Sequence, residues 1–179
     1  MLYTATCPSP VGLLSLASDG EALVGLWIEG QKYFGATLPE STTPMDGLPV
    51  FQAAKDWLGR YFAGKRPEIH ELPLRPAGSA FRQAVWGILR EIPYGEVTTY
   101  GAIAGKMAAK LGREAISSQA VGGAVGHNPI SIIIPCHRVV GSNGSLTGYA
   151  GGIEKKARLL ELEGADLSRL FLPANGAGR

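Results

Sequence analysis

The residues with the clearest chemical potential are a cysteine, a histidine and an arginine that follow one another, Cys136, His137 and Arg138. A thiol reacts as the thiolate, and a neighbouring base or cation lowers the cost of forming it. Adjacent side chains on a strand point to opposite faces, so assistance from His137 requires a local turn or a bridging water. The group predicts an activated nucleophile at Cys136. The alternative is a buried cysteine that packs as a small hydrophobic residue.

An apolar stretch, Ile130 to Ile134, leads up to this group. Its β-branched composition predicts a buried strand. Pro135 cannot donate to a β-ladder, so we expect the strand to end there. Cys136 would then lie where the chain leaves the core.

The composition, with 45% hydrophobic and 18% charged residues over 179 positions, is typical of a globular protein of one or two domains. The first ten residues carry no basic residue and contain two prolines, so we expect neither a signal peptide nor a membrane span. The expected location is the cytoplasm, or the nucleus in a eukaryote. Two distant cysteines and three histidines without a CxxC motif do not support a metal site. We expect no metal and no cofactor, and we interpret Cys7 as structural.

The net charge of +2 is unevenly distributed along the chain. Residues 1–77 carry six basic and eight acidic groups, whereas residues 78–179 carry eleven basic and seven acidic groups. The second part is therefore the better candidate for an anion-binding surface.

The first part of the chain predicts a small antiparallel sheet with one helix. Three short apolar runs separated by turn residues read as strands, at Leu2 to Thr6, Val11 to Ala17 and Ala22 to Ile28. Residues 35–47 read as a loop, and a helix begins at Pro49 and ends near Gly64. A Pro- and Gly-containing connector follows, which places the domains at residues 1–77 and 78–172, with a flexible tail at residues 173–179.

The second domain predicts several helices that begin at hydroxyl-bearing residues. Caps are expected at Ser79, at Thr98 or Thr99, and near Ser117. Ile103, Met107 and Leu111 form one stripe of the second helix, and a turn at Gly112 leads to the third. Two helices joined in this way resemble a helix-turn-helix.

The third helix, residues 118–126, contains Gly122 and Gly123, each of which costs about 1 kcal/mol relative to alanine. Small or short side chains share one side of it, at Ala120, Gly123, Ala124 and His127. This face suits either tight packing against another helix or close approach to a nucleic-acid groove.

The residues after Cys136 predict a hairpin, a loop and a last helix. The sequence Ser142-Asn143-Gly144-Ser145 favours a hairpin turn between Val139-Val140 and Leu146. Residues 148–152 form a glycine-rich loop in which Tyr149 either faces a ligand or joins the core. The last helix is expected at residues 153–163.

Taken together, these motifs closely resemble the O6-alkylguanine-DNA alkyltransferases. The matching residues are Asn128-Pro129, Pro135-Cys136-His137-Arg138-Val139-Val140, Gly148-Tyr149, Gly151-Gly152 and Glu163-Gly164. The resemblance implies an α/β (α+β) fold. It consists of a ribonuclease-H-like sheet domain followed by a helical, winged helix-turn-helix-like domain that carries the active site.

The same resemblance implies a suicide reaction without a cofactor. Cys136 would take the alkyl group from O6-alkylguanine, and potentially from O4-alkylthymine, after the base is flipped out of double-stranded DNA through the minor groove. His137 would remove the thiol proton through a water, Glu163 would orient the imidazole, and Asn128 would hold the active-site turn. The partner is damaged DNA rather than a membrane, and the expected state is a monomer that can cluster on DNA.

Further sites are implied position by position. The substrate pocket would comprise Tyr100, Val139, Tyr149, Ala150 and Gly151. The DNA-binding residues would be Tyr100, Ser118, Gln119, Ala120, Gly123 and Arg138.

Two residues depart from the family pattern. Gln119 stands where many members have an arginine finger, which implies weaker and less salt-sensitive DNA binding. Ala150 stands where serine is common. Two other functions remain open: a cysteine hydrolase that uses Cys136 and His137 for acyl transfer, and a damage sensor without transfer activity, from which the cysteine at position 136 distinguishes this chain.

Overall fold

The computed structural model describes residues 1–173, so all but the first residue of the predicted tail at 173–179 lies outside the described residues. The fold is the predicted mixed α/β type. The chain forms two compact units, of which the first contains Met1–Ala77 together with Pro129–Ile133. The second contains Gly78–Asn128 and the chain from Ile134 onward. In the described part of the chain, no helix has the length and apolar character needed to span a bilayer.

The first unit contains a four-stranded sheet. Its strands are β1 (Tyr3–Cys7), β2 (Leu14–Ser18), β3 (Leu23–Ile28) and β4 (Thr43–Pro44). Strands β1, β2 and β3 pair antiparallel, which confirms the predicted meander, and the strand order is β3-β2-β1-β4. The short strand β4 pairs parallel with β1 in a stretch predicted to be a loop. Its two residues include a proline, which is tolerated at a sheet edge but hides the strand from sequence patterns.

One helix, α1 (Pro49–Phe62), packs on β2 and β3. Its start at a proline and its buried face are as predicted. Gly64, expected to close the helix, lies one position beyond the C-cap and has a φ of 78°. This left-handed conformation is the one that glycine adopts without steric cost at a helix end.

Residues 130–134 do not form the predicted strand. Ile130 makes a single β-bridge to Leu26, whose N–H donates to the Pro129 carbonyl at 2.8 Å. The chain then turns, and Ile132 has a φ of 72°, which a β-branched residue rarely adopts. The isoleucines are buried as expected. The β-branched composition therefore predicted the burial of these residues correctly, but it predicted the wrong backbone conformation.

Three helices of the second unit begin at the predicted caps. They are α2 (Ala80–Leu89), α3 (Tyr100–Leu111) and α4 (Ser118–Gly126). The hydroxyls of Ser79, Thr99 and Ser117 each accept a backbone N–H in the first turn. These caps satisfy donors that have no partner within the helix. Ile103 and Met107 are fully buried, but Leu111, predicted on the same stripe, is 44% exposed.

The second unit also contains a two-stranded sheet that the sequence did not predict. Strand β5 (Thr98–Thr99) pairs parallel with β6 (Val139–Val140), immediately after the Cys136 segment. The predicted turn is present, since the Gly141 N–H donates to the Ser145 carbonyl at 2.8 Å. Leu146 then pairs with Phe171 rather than continuing a hairpin with β6. The last helix is α5 (Ile153–Leu162).

Trp86 connects α2 to α4. Its indole is buried, and Nε1–H donates to the Ala124 carbonyl at 2.8 Å. That carbonyl belongs to the last turn of α4, where intrahelical donors are missing. The indole therefore both fills the space between two helices and satisfies a helix end.

We expect Trp86→Phe to destabilise the second unit by about 2 kcal/mol, because a buried acceptor loses its donor and the smaller ring leaves a cavity. Hydrogen exchange of the α4 amides, measured with urea unfolding, would show the loss. Trp57→Phe is the matched control, since its Nε1–H donates to the Glu68 carbonyl in the first unit. Equal loss of α4 protection in both variants would contradict the assigned role.

Candidate active site

Cys136 lies in a tight turn within the second unit. Residues Cys136–Arg138 form one turn of 3-10 helix, and the Cys136 side chain is buried, with the residue 4% exposed. Asn128 Nδ2 donates to the Ile134 carbonyl at 2.8 Å, and the Cys136 N–H donates to the same carbonyl at the same distance. Asn128 therefore holds the entry to the turn that presents the thiol.

His137 and Glu163 form a fully buried pair. The distance from His137 Nε2 to Glu163 Oε2 is 2.6 Å. Burial lowers the pKa of His137, against the opposing effect of Glu163, so the imidazole is neutral at rest. In a neutral ring, the nitrogen beside a carboxylate carries the proton, which assigns Nε2 as the donor. Nδ1 is then a lone-pair acceptor, and it has no partner among the described residues.

Arg138 holds the Glu163 carboxylate from the other side. Its Nε and Nη2 donate to the two carboxylate oxygens at 2.8 and 3.1 Å, and Nη1 donates to the Ile92 carbonyl at 2.6 Å. Burial raises the pKa of Glu163, but the hydrogen bonds and charges of His137 and Arg138 lower it well below its ordinary value. Glu163 is therefore an ionised hydrogen-bond acceptor.

Arg138, which the resemblance places among the DNA-binding residues, is buried in this structure. The residue is 6% exposed, and its guanidinium donates to Glu163 and to the Ile92 carbonyl. Its guanidinium instead serves the carboxylate that orients His137. The motif match could not distinguish a surface arginine from a buried one.

Gly95 completes the environment of the carboxylate, a role that sequence reasoning missed. Its N–H donates to Glu163 Oε1 at 3.2 Å, and its φ is 82°. A Cβ at this position would lie 2.9 Å from the Glu163 carbonyl oxygen, so only glycine fits without a shift. The sequence signal is Pro93-Tyr94-Gly95, a combination that is typical of a turn at a helix end and does not by itself indicate a contact with Glu163.

The residues predicted to form the pocket differ in their exposure. Val139 and Tyr149 are buried, whereas Tyr100, Ala150 and Gly151 are partly exposed. The Tyr149 ring centroid lies 6.4 Å from that of His137, and the Tyr149 hydroxyl has no partner among the described residues. The ring that neighbours the imidazole thus carries a second polar atom without a partner among the described residues.

Tyr100 is held by the loop after the turn. Its hydroxyl donates to the Thr147 carbonyl at 2.9 Å. Gly148 has a φ of 79°, and a Cβ there would lie 2.7 Å from the Tyr100 hydroxyl oxygen. Burial raises the pKa of Tyr100, with a contribution from Cys136. Tyr100 therefore remains a protonated donor beside the thiol.

Lys156 is a buried cation that sequence reasoning did not single out. Its side chain is fully buried, and Nζ donates to the Thr147 carbonyl at 2.8 Å. Burial lowers the pKa of Lys156 to about 8, while Cys136 acts in the opposite direction. The available signal was helical spacing, because Lys156 shares the face of the buried Leu159 and Leu160 at i, i+3 and i+4.

The thiol is neutral at rest. Burial raises the pKa of Cys136, although a hydrogen bond from Asn128 and the charge of Lys156 favour the thiolate. The resting site therefore contains a neutral thiol and a neutral imidazole. The thiolate forms when a proton moves from Cys136 to His137.

The predicted DNA-contacting residues of α4 are at the surface. Ser118, Gln119, Ala120 and Gly123 are all exposed. Apart from the neighbouring residues and the backbone of α4 itself, no atom lies within 4 Å of the place where a Cβ of Gly123 would be, so packing against another element does not explain this glycine. Ala124, predicted on the same face, is buried at 3% exposure, because it faces Trp86.

No metal centre is evident in residues 1–173, where no cluster of three or more His, Cys, Asp or Glu side chains could hold an ion. Cys7 is half-buried in the first unit.

Both parts of the chain match one protein family. Residues 80–165 match the 6-O-methylguanine DNA methyltransferase, DNA binding domain, and residues 2–76 match its ribonuclease-like domain. The methylated-DNA--protein-cysteine methyltransferase of Haemophilus influenzae is 47% identical over 162 residues, which cover 90% of this chain and 86% of the relative. The chain belongs to the 6-O-methylguanine DNA methyltransferase family.

Other methyltransferases of this family are similar in sequence or in structure. The Methanosarcina acetivorans relative is 42% identical over 165 residues, which cover 92% of this chain and 99% of the relative. The crystal structure of the Mycobacterium tuberculosis O6-methylguanine methyltransferase is similar with a TM-score of 0.79 and 44% identity, over 98% of this chain and 97% of that chain. A structure of M. tuberculosis OGT in complex with DNA also gives a TM-score of 0.79, at 44% identity over 96% of each chain.

The low pKa of Glu163 predicts a pH dependence of folding. At pH values above the ordinary pKa of glutamate, the charge of Glu163 stabilises the folded state. This stabilisation is lost as the pH falls below the ordinary pKa towards the lower pKa of the folded protein. We expect Glu163→Gln to cost about 3 kcal/mol near neutral pH, because it leaves the Arg138 charge buried without its partner. The cost should shrink as the pH falls.

Urea unfolding across this acidic range would measure the effect. Glu161→Gln, at an exposed position two residues away, is the control for losing one carboxylate. The same pH slope in wild type and Glu163→Gln would show that Glu163 does not have a depressed pKa in the folded protein.

Proposed function

We propose that this protein repairs DNA by transferring the alkyl group of O6-alkylguanine directly and irreversibly to Cys136. The observation that carries the proposal is the buried Cys136-His137 turn, in which Nε2 of the imidazole is fixed by Glu163 while Nδ1 is left as a base. The family membership supports the same reaction, since the relatives are named as methyltransferases of methylated DNA and a protein cysteine.

The reaction is a single displacement at carbon. The thiol proton passes through a water to His137 Nδ1, and the sulfur attacks the alkyl carbon in line with its bond to O6. The sulfur–carbon bond forms as the carbon–oxygen bond breaks, and the electron pair stays on guanine. Guanine leaves as an anion that takes up one proton, which the Tyr100 hydroxyl donates in this proposal. The His137 imidazolium then returns the thiol proton to Tyr100 through water, so that both groups are again neutral. The thioether at Cys136 is the final product.

Glu163 acts through His137 rather than on the substrate. The pKa of Glu163 is too low for the carboxylate to take the thiol proton. The carboxylate instead stabilises the His137 imidazolium that forms, and it keeps Nδ1 on the side of the ring away from Glu163. Arg138 and Gly95 hold the carboxylate in this position through their hydrogen bonds. Asn128 supports the turn and the thiolate, as proposed from the sequence.

The pocket would receive a base that has left the double helix. Unstacking a base costs a few kcal/mol, and less when alkylation has weakened its pairing. In this proposal, Tyr100, Val139, Tyr149, Ala150 and Gly151 line the space that the guanine enters, and the partly exposed positions of Tyr100, Ala150 and Gly151 supply its mouth.

Helix α4 is the proposed DNA-contacting element. The minor groove is about 6 Å wide, so a helix can approach it only where side chains are small. Ala120 and Gly123 supply such a surface, and Ser118 and Gln119 lie exposed at its start. We further propose that the protein is a monomer that can cluster on DNA and that it is located in the cytoplasm. We also propose O4-alkylthymine as a second substrate, whose reaction is to be compared directly with that of O6-alkylguanine.

Mass spectrometry after mixing the protein with a double-stranded oligonucleotide containing O6-methylguanine tests the function. We expect one methyl group on the peptide that contains Cys136, with a stoichiometry that saturates at one per protein. Cys136→Ser should bind the same DNA and acquire no methyl group. Repeated turnover would instead indicate a hydrolase, and modification at another residue would refute the assignment of Cys136.

Gln119 should limit DNA affinity. An exposed arginine at the start of α4 would add one phosphate-attracting charge, so Gln119→Arg should tighten binding at low salt and steepen its salt dependence by about one unit of slope. Fluorescence anisotropy with duplex DNA over a salt series would measure both. Gln119→Leu is the control for a change of side chain without a change of charge. An unchanged affinity and slope in Gln119→Arg would remove this position from the DNA interface.

A further inference from the structure

The apolar run before the active-site turn begins as a strand of the first unit. Ile130 makes a parallel bridge to Leu26 of β3. The Leu26 N–H donates to the Pro129 carbonyl at 2.8 Å, and the Ser131 N–H donates to the Leu26 carbonyl at 2.9 Å. These two bonds are one complete step of a parallel ladder. The β-branched composition of the residues that follow favours a second step.

The second step is blocked at Ile28, the last residue of β3. In a parallel ladder, the Ile28 N–H would donate to the Ser131 carbonyl, and the Ile28 carbonyl would accept from Ile133. Gln31 takes both groups instead. Its side-chain Oε1 accepts the Ile28 N–H at 2.7 Å, and its own N–H donates to the Ile28 carbonyl at 3.0 Å. The buried Gln31 thus ends the ladder at this edge of the sheet.

The chain turns at the point where the ladder ends. The Ile133 N–H donates to the Ser131 carbonyl at 2.8 Å, and Ile132 between them has a φ of 72°. A hydrogen bond across three residues with a positive φ at the centre is the strained form of the γ-turn. Such a conformation persists only where its surroundings hold it. Gln31 supplies one such contact, because its Oε1 also accepts the Ser131 hydroxyl at 3.1 Å.

This turn sets the path of the chain to the nucleophile. A second three-residue turn follows directly, in which Pro135 has a φ of −81° and a ψ of 65° and the Cys136 N–H donates to the Ile134 carbonyl at 2.8 Å. This second turn is the common form of the γ-turn. The two turns are contiguous, so no extended residue separates Ser131 from Cys136. A change in the conformation at Ser131 therefore displaces the sulfur.

We propose that Gln31 is a positioning residue for alkyl transfer, which keeps the chain after Ser131 out of the sheet and thereby places the Cys136 sulfur. It does so by occupying both backbone groups of Ile28 and by accepting the Ser131 hydroxyl. Gln31 acts through the backbone of this segment rather than on the reacting atoms. The inference rests on the proposed function for its purpose, whereas its structural part concerns the free protein.

Hydrogen exchange in the absence of DNA tests the structural part. Gln31→Met keeps the length of the side chain and removes the acceptor. We expect the Ile133 and Cys136 amides, the donors of the two turns, to exchange at least about tenfold faster. Gln31→Glu retains an acceptor oxygen and should restore their protection. Ser18→Ala is the matched control, since this buried hydroxyl of the first unit donates to the Ala22 carbonyl, away from the two turns.

Two results of the exchange experiment would overturn the inference. One is unchanged exchange of the two turn amides in Gln31→Met. The other is a uniform increase over the first unit, which is the effect expected of Ser18→Ala. Ser131→Ala removes the hydroxyl contact alone, and it provides a second variant if Gln31→Met does not fold. We expect it to accelerate exchange of the same two amides.

The functional part is tested by the single-turnover rate of methyl transfer at saturating DNA. This rate should fall about tenfold in Gln31→Met, because a small displacement takes the sulfur out of line with the alkyl carbon, and it should recover in Gln31→Glu. The affinity for DNA should stay unchanged, since the segment is separate from α4. An unchanged rate, or a lower affinity at an unchanged rate, would contradict the positioning role. If wild type transferred no methyl group, the proposed function would fail, whereas hydrogen exchange would still decide whether Gln31 holds the segment.

Discussion

The active site depends on keeping one carboxylate ionised inside the protein. An isolated buried glutamate would take up a proton, because burial disfavours its charge. Glu163 remains ionised because His137 donates to one of its oxygens and Arg138 donates to both, and Gly95 adds a backbone donor. Glu163 is the C-cap of α5, and Arg138 ends the turn that contains Cys136. The ion pair therefore connects the last helix to the reactive segment.

This charge determines the chemistry of the imidazole. With a carboxylate 2.6 Å from Nε2, the ring proton stays on that nitrogen and Nδ1 keeps its lone pair. Burial simultaneously raises the pKa of Cys136 and lowers that of His137, so the resting pair is neutral. Such a site avoids a permanent buried thiolate, but it must create charge during the reaction. Arg138 serves this arrangement from inside the protein, where it is buried beside Glu163.

Local signals in the sequence were sufficient for the helix starts. Ser79, Thr99 and Ser117 cap helices through contacts only three residues away, so their roles can be inferred without tertiary structure. The features that were not predicted depend on distant partners. Strands β5 and β6 are two residues each and pair across about forty residues of sequence, and Ile132 turns where its composition favours a strand.

The burial of two charged residues also depends on distant partners and was not predicted from local sequence. Arg138 and Lys156 are residue types that usually lie at the surface, and only their tertiary neighbours reveal that both are buried. For Lys156, the spacing from Leu159 and Leu160 indicated the buried face, but the general tendency of lysine outweighed it. Buried charges are costly, so their positions mark function more reliably than the motif that contains them.

The distribution of charge also explains how a buried thiol can react. During the displacement, negative charge moves from the sulfur to the guanine oxygen. A cation that stabilised only the guanine anion would therefore not assist the formation of the thiolate. Because the resting thiol is neutral, forming the thiolate is part of the barrier rather than part of the ground state. Once the thioether has formed, the sulfur carries no charge, so the product leaves no buried anion at this position.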